Sequence, residues 1–195
     1  MKQKTTALLA ACAVLGAAGF GTAAFGDDAK PAATLQYSRE GLMLRPEHYR
    51  EWIYLTSGFD MSYSPAMSLG HVFDNVFVNP QAYAVFVATG RWPDDTALII
   101  EIRSAESKGS INKSGNFQGA KVVGLEVHVK DTARFADGWA FFEFESAAPA
   151  KMIPRSEECY SCHAAHAAVD TTFVQFYPTL LPIAQKMGTI VPESK

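Results

Sequence analysis

The most regular alternation in the chain lies between Lys121 and Lys130. Val123, Leu125, Val127 and Val129 fall on one side of it; Gly124, Glu126 and His128 fall on the other. A two-residue period of this kind predicts a strand with one apolar face. Trp139 to Glu145 repeats the period in Phe142-Glu143-Phe144-Glu145. Ala97 to Arg103 is apolar and rich in β-branched residues, and Trp52 to Leu55 and His71 to Val78 read as two earlier strands. Asn79-Pro80 marks a helix start, with Asn as N-cap and Pro in the first turn. That helix carries Tyr83, Val85, Phe86 and Val87, and Gly90 closes it. Pro46 opens a shorter helix running from Glu47 to about Trp52. Ser62 to Gly70 has no period, and Glu106 to Gly119 is rich in Gly, Ser, Asn and Lys; both read as loops. Apart from the helix near residues 80–89, the links are too short for parallel crossovers, so the sheet is expected to be antiparallel.

The last 40 residues change character. Ser156-Glu157-Glu158 begins a helix expected to run to about Val169, with acidic side chains in its first turn. Asp170 is placed to cap a further segment, Thr171 to Tyr177. Pro178 and Pro182 break or kink the chain beyond it, and Gly188 ends the last turn. The fold class is α+β: an antiparallel sheet flanked by helices.

Inside that helix lies Cys159-Tyr160-Ser161-Cys162-His163, the C-x-x-C-H signature of c-type haem attachment. Two thiols three residues apart share nearly one helical face and reach two vinyl groups on one porphyrin edge. The adjoining histidine is carried under the iron as its proximal ligand. Cys159, Cys162 and His163 are therefore the expected haem c ligands, with the haem held between the sheet and the C-terminal segment, where Phe173, Phe176 and Tyr177 are available to pack on it. A zinc site needs a second pair of soft ligands, and a thioredoxin-like pair needs a surrounding βαβ pattern; the chain offers neither.

Lys2 and Lys4 precede an apolar stretch from about Ala7 to Phe20, with small residues before Asp27-Asp28. This is the layout of a cleaved export signal over residues 1–26, leaving a single domain over 27–195 in the periplasm. Leu9-Ala10-Ala11-Cys12 resembles a lipoprotein box, but the residues after Cys12 stay apolar where a lipoprotein turns polar. The chain has 3 Cys; Cys12 leaves with the leader and the haem uses the others, so none remains for a disulfide. Loss of Lys2 and Lys4 takes the formal charge from −3 to −5. That acidity argues against a nucleic-acid partner.

Several short motifs occur in the order found in the cytochrome P-460 family, which the chain resembles over nearly all of its mature length. They are Leu44-Arg45-Pro46-Glu47-His48-Tyr49-Arg50-Glu51-Trp52, Val78-Asn79-Pro80-Gln81-Ala82-Tyr83, Gly124 to Asp131, Arg134-Phe135-Ala136, Trp139-Ala140-Phe141, the C-x-x-C-H and Phe176-Tyr177-Pro178. The resemblance implies a periplasmic, β-rich, homodimeric monohaem cytochrome with an open face opposite the proximal histidine. It spans hydroxylamine-oxidising enzymes and the related cytochromes c′-beta, which bind nitric oxide or carbon monoxide in an apolar pocket. The enzymes link a lysine to the porphyrin. Their Lys-Glu-Leu falls on Ile100-Glu101-Ile102, so the lysine is isoleucine here. A family arginine falls on Asp74. The distal glutamate falls on Glu126 and is retained.

From alternation alone, Glu126 is a solvated strand carboxylate; the resemblance implies a catalytic proton relay beside the haem. His128 shares its face and is expected to be exposed or hydrogen-bonded rather than a ligand. His166 is expected at its helix surface. Met43, Met61, Met67, Met152 and Met187 are the methionines available as a sixth ligand, none in a recognisable ligand loop, and Phe59, Phe73, Phe77, Phe86 and Phe142 could roof a distal cavity. Three functions compete. Ile100 favours a binder of nitric oxide or a similar small nitrogen-oxide ligand. Glu126 favours a hydroxylamine-oxidising enzyme, in which Lys121 or Lys151 would have to replace the missing lysine. A sixth protein ligand would make an electron-transfer cytochrome, working with a redox protein partner.

Overall fold

The structure is a computed structural model that describes residues 35–63, 70–109, 111 and 113–191 of the 195-residue chain. The expected leader, Cys12 and Met67 lie outside the described residues. Five strands form one sheet in sequence order: β1 (Ile53–Phe59), β2 (Val72–Val78), β3 (Ala97–Glu106), β4 (Phe117–Lys130) and β5 (Trp139–Glu143). Every neighbouring pair is antiparallel, including β2 and β3, which are joined by α1 (Pro80–Thr89). With α2 (Glu158–His166) and α3 (Leu181–Met187), the architecture is α+β.

Residues opposite one another in the ladders share a face of the sheet. On one face lie three rows: Asp74–Ile102–Gly124, Val76–Ile100–Glu126–Glu143 and Val78–Leu98–His128–Phe141. α1 and the chain after Ala167 cover this face. Their Phe86, Val169, Val174, Tyr177 and Leu180, with Trp92 from the link between α1 and β3, pack with Val76, Val78 and Leu98 in one core. The opposite face carries Ile99, Leu125, Val127 and Phe142, packed under Met43, Tyr49, Phe135 and Phe144. Bridges from Met43 to Tyr37 and to Ala150 close that second layer. The central strand β3 is thus buried on both faces, which explains its nearly continuous apolar run.

Local chemistry refines several expected elements. Pro46 leads only to a single 3-10 turn, Tyr49–Glu51, because Trp52 is already extended and feeds β1. Asn79 precedes α1 but does not cap it with its side chain. That amide accepts from the Ala97 N–H at 2.9 Å and donates to the Asp95 carbonyl at 3.0 Å, stitching α1 to the start of β3. Within α1 only Ala82 and Phe86 are buried, and Val85 and Val87 stay exposed. Full burial of Phe86 contributes about 2–3 kcal/mol. β3 and β4 extend into the expected Gly/Ser-rich loop, which shortens to residues 107–116. The haem-motif helix stops at His166 rather than Val169, because Val169 bridges to Thr172 across a turn in which Asp170 has φ 51°. Asp170 therefore forms a turn and caps nothing, and Thr171 to Tyr177 contains only the 3-10 turn Val174–Phe176.

Candidate functional site

α2 buries none of its residues, so its position depends on a few directed contacts. Tyr160 supplies several. Its hydroxyl donates to the Ile153 carbonyl at 3.0 Å and accepts the Phe141 N–H at 3.3 Å, and its ring meets Phe141 edge-on at 4.8 Å. The Arg155 guanidinium lies 4.5 Å over the Tyr160 ring and donates to the Trp139 carbonyl at 2.7 Å. Tyr160 is only a variable letter of the haem motif, and nothing in the sequence marks it, yet it ties α2 to β5. Cys159 and Cys162 are unpaired and half-buried. Burial, then the charge of Glu126, raises the Cys159 thiol pKa; burial, then Glu158, raises that of Cys162. Thiols held protonated in this way are unlike the low-pKa thiolates of a redox pair.

His163 projects from α2 among aromatic rings, 4.4 Å from Phe173, 4.6 Å from Phe141 and 4.9 Å from His128. Its Nδ1 lies 2.6 Å from the Thr171 carbonyl. A carbonyl can only accept, so Nδ1 carries the proton and Nε2 keeps its lone pair. This is the tautomer a metal-ligating imidazole requires. Burial lowers the His163 pKa, opposed by the Thr171 carbonyl, and favours the neutral ring.

The turn that presents Thr171 is fixed on several sides. Trp92 Nε1 donates to the Thr172 hydroxyl at 2.8 Å, and that hydroxyl donates to the Val169 carbonyl at 2.8 Å. Lys130 reaches Asp170 at 3.4 Å. The Thr171 hydroxyl lies 3.0 Å from His128 Nε2. His128 is 4% exposed and stacks on Phe141 at 4.0 Å, so of its two expected placements the hydrogen-bonded one holds and the exposed one does not.

Beside this arrangement, Glu126 stands between Ile100 of β3 and Glu143 of β5. It is half-buried on this face rather than the fully solvated carboxylate that alternation suggests. Burial, then Glu143, then Asp74 raise its pKa to about 7. Asp74 faces the same way from β2, and burial followed by Asp60 raises its pKa to about 6. Ile100 itself is half-buried against the first-face core. The sheet thus gathers Glu126, Asp74 and Ile100 on one face and sets His163 over the same face against Phe141. Lys121 is exposed on β4 and Lys151 is exposed after β5.

Other candidates separate from the site. Met43 is fully buried in the opposite core, and Met61, Met152 and Met187 are each about 40% exposed. Phe77 and Phe142 belong to that opposite face as well, and Phe86 points from α1 into the first-face core, so none of the three roofs a cavity over His163. His166 is half-buried, with the Tyr63 ring stacked on it at 4.1 Å. Among the described residues, no three His, Cys, Asp or Glu side chains converge as a metal cage.

A family model for cytochrome P460 matches residues 46–174, which span the first 3-10 turn, the sheet, the C-x-x-C-H and the Thr171 turn. The chain belongs to the cytochrome P460 family. No individual curated protein matches it. The match ends before Phe176-Tyr177-Pro178, so that quoted motif lies outside it. Membership implies a haem cofactor, and the donor set of this cytochrome P460 chain suits one: two unpaired thiols on one helix and an imidazole whose free nitrogen is fixed by the bond at the other.

Proposed function

We propose that this chain is an exported monohaem c-type cytochrome that binds nitric oxide or a similar small nitrogen-oxide ligand. Cys159 and Cys162 would hold the haem through thioethers and His163 would bind the iron through Nε2. When bound, the haem would supply an iron able to take a small diatomic ligand. Thr171 fixes the imidazole, Phe141 and Phe173 flank it, and Ile100 gives the sheet side an apolar, unreactive surface. The observation that carries this reading is Ile100, half-buried between Val76 and Glu126 where the hydroxylamine-oxidising members place a cross-linking lysine. Without that amine the macrocycle keeps ordinary haem c electronics. The periplasm as compartment, the homodimer and a redox protein partner are parts of the same proposal.

A second reading, hydroxylamine oxidation, is supported by Glu126. A carboxyl with a pKa of about 7 exchanges a proton near neutral pH, as a base for a protic substrate must. Purified holoprotein separates the readings. The binder shows an ordinary thioether-haem pyridine spectrum, an intact mass equal to the mature chain plus one haem, and spectral changes on adding nitric oxide to the reduced protein. Steady hydroxylamine consumption with an electron acceptor would establish the second reading instead. A low-spin spectrum in both oxidation states would eliminate both.

A further inference from the structure

His128 is a wholly buried imidazole close to His163, and its polar contact goes to a residue that also touches His163. Thr171 is held at both ends: its hydroxyl sits 3.0 Å from His128 Nε2, and its carbonyl accepts from His163 Nδ1 at 2.6 Å. The position itself asks for an apolar ring. It is sandwiched against Phe141 at 4.0 Å and Trp139 at 4.4 Å, and a phenylalanine would fill it without burying nitrogen atoms. Leaving such a group unbonded costs on the order of 1–3 kcal/mol, so the hydrogen bond to Thr171 is what makes the imidazole tolerable there. Lys130, two residues further along the same face of β4, holds Asp170, and Trp92 holds Thr172. Three successive turn residues are therefore pinned by side chains from outside the turn.

We propose that His128 is a positioning residue for the iron's imidazole ligand: by holding the Thr171 hydroxyl it fixes the carbonyl to which His163 donates, and so sets the donor strength and ring orientation of His163. A short Nδ1–H bond to a well-placed carbonyl pushes electron density onto Nε2 and strengthens its bond to iron. A carbonyl free to drift would give a longer bond and a weaker ligand. This inference rests on the reading of His163 as the iron ligand.

The test is the iron–histidine stretching band of the reduced holoprotein by resonance Raman, together with the reduction potential, in His128→Phe, Thr171→Val and Thr171→Ser. His128→Phe keeps the stacking and removes the nitrogen; Thr171→Val exchanges the hydroxyl for a methyl and keeps the carbonyl. Both are expected to move the band to lower frequency and raise the potential, and Thr171→Ser is expected to restore wild-type values. Coincident bands in wild type, His128→Phe and Thr171→Val would overturn the inference while leaving His163 as the ligand. If His128→Phe yields no holoprotein, the comparison of Thr171→Val with Thr171→Ser decides. A wild-type holoprotein with no iron–histidine band would overturn the reading beneath it.

Discussion

Glu101 and Glu126 sit on adjacent strands, face opposite sides of the sheet, and titrate in opposite directions. Glu101 is 2% exposed, yet it accepts from the Tyr49 hydroxyl at 2.5 Å, Arg50 Nε at 2.7 Å and Arg103 Nε at 2.5 Å. Burial alone would raise its pKa, but the bonds from Tyr49 and the two arginines outweigh it and hold the carboxyl below its usual range. Its stability contribution is present above the ordinary glutamate pKa and is lost as pH falls through the depressed folded value. Glu101→Gln should lower stability at pH 7 by about 3 kcal/mol, since it strands Arg103 beside a neutral amide. Denaturant midpoints check this, and the gap to wild type should close in acid. Glu126 gains no such stabilisation from a cation and keeps its proton to about pH 7 in the folded chain. Between the ordinary glutamate pKa and that value the folded state binds more protons than the unfolded one, so stability falls as pH rises and is level above pH 7. Glu126→Gln should therefore match wild type near pH 4 and exceed it at pH 8, by on the order of 2–3 kcal/mol. Equal urea midpoints at pH 8 would mean the carboxylate is solvated after all.

At the scale of elements, what the sequence discloses depends on whether an element's neighbours are local. Although β5 stops at Glu143, short of the expected Glu145, the period of β4, the unbroken apolar run of β3 and the Pro80 start of α1 are written in adjacent residues and fold as they read. The covering of the polar side of β4 is not, because it comes from residues 40 or more positions away: Thr171 meets His128 only after the chain turns back at Asp170. Hence Glu126 reads as solvated and is half-buried, and His128, read as exposed or hydrogen-bonded, proves buried and bonded. The same limit applies to α2, whose end is set by the Val169–Thr172 bridge rather than by a breaker residue. The C-x-x-C-H spacing is plain in the sequence, while the carbonyl that His163 Nδ1 meets is not, since a backbone oxygen carries no signature. Gly90 shows the opposite case, a local signal whose reason is tertiary. It ends α1 at φ 71°, and a Cβ there would come within 2.8 Å of Met187 Cβ at the end of α3. Gly90→Ala should cost about 2–3 kcal/mol, combining left-handed strain with displacement of α3. A lowered denaturant midpoint with an unchanged slope is the expected result.

For the molecule as a whole, stability is distributed unevenly between the sheet and the segment bearing the haem motif. The meander has cores on both faces, and its strands depend on neither α2 nor a cofactor for their hydrogen bonds. α2 has no buried residue and is held by Tyr160, Arg155 and the bond from His163 to Thr171. A covalently attached haem ligated by His163 would add the contacts this helix lacks, binding the folded arrangement and not the unfolded one. Cofactor loss should then loosen one region rather than the whole fold. In a Cys159→Ser/Cys162→Ser protein made without haem, amide hydrogen exchange should be fast across α2, residues 158–166, and remain slow in β3 and β4. Trp92 and Thr172 mark the boundary, because their buried bond anchors the turn to the first-face core and should keep Val174 and Tyr177 protected. If α2 instead exchanges as slowly as β3, its few directed contacts suffice to hold it. The haem would then occupy a preformed site rather than complete one. Uniformly fast exchange would show the opposite, that the sheet too needs the cofactor to fold.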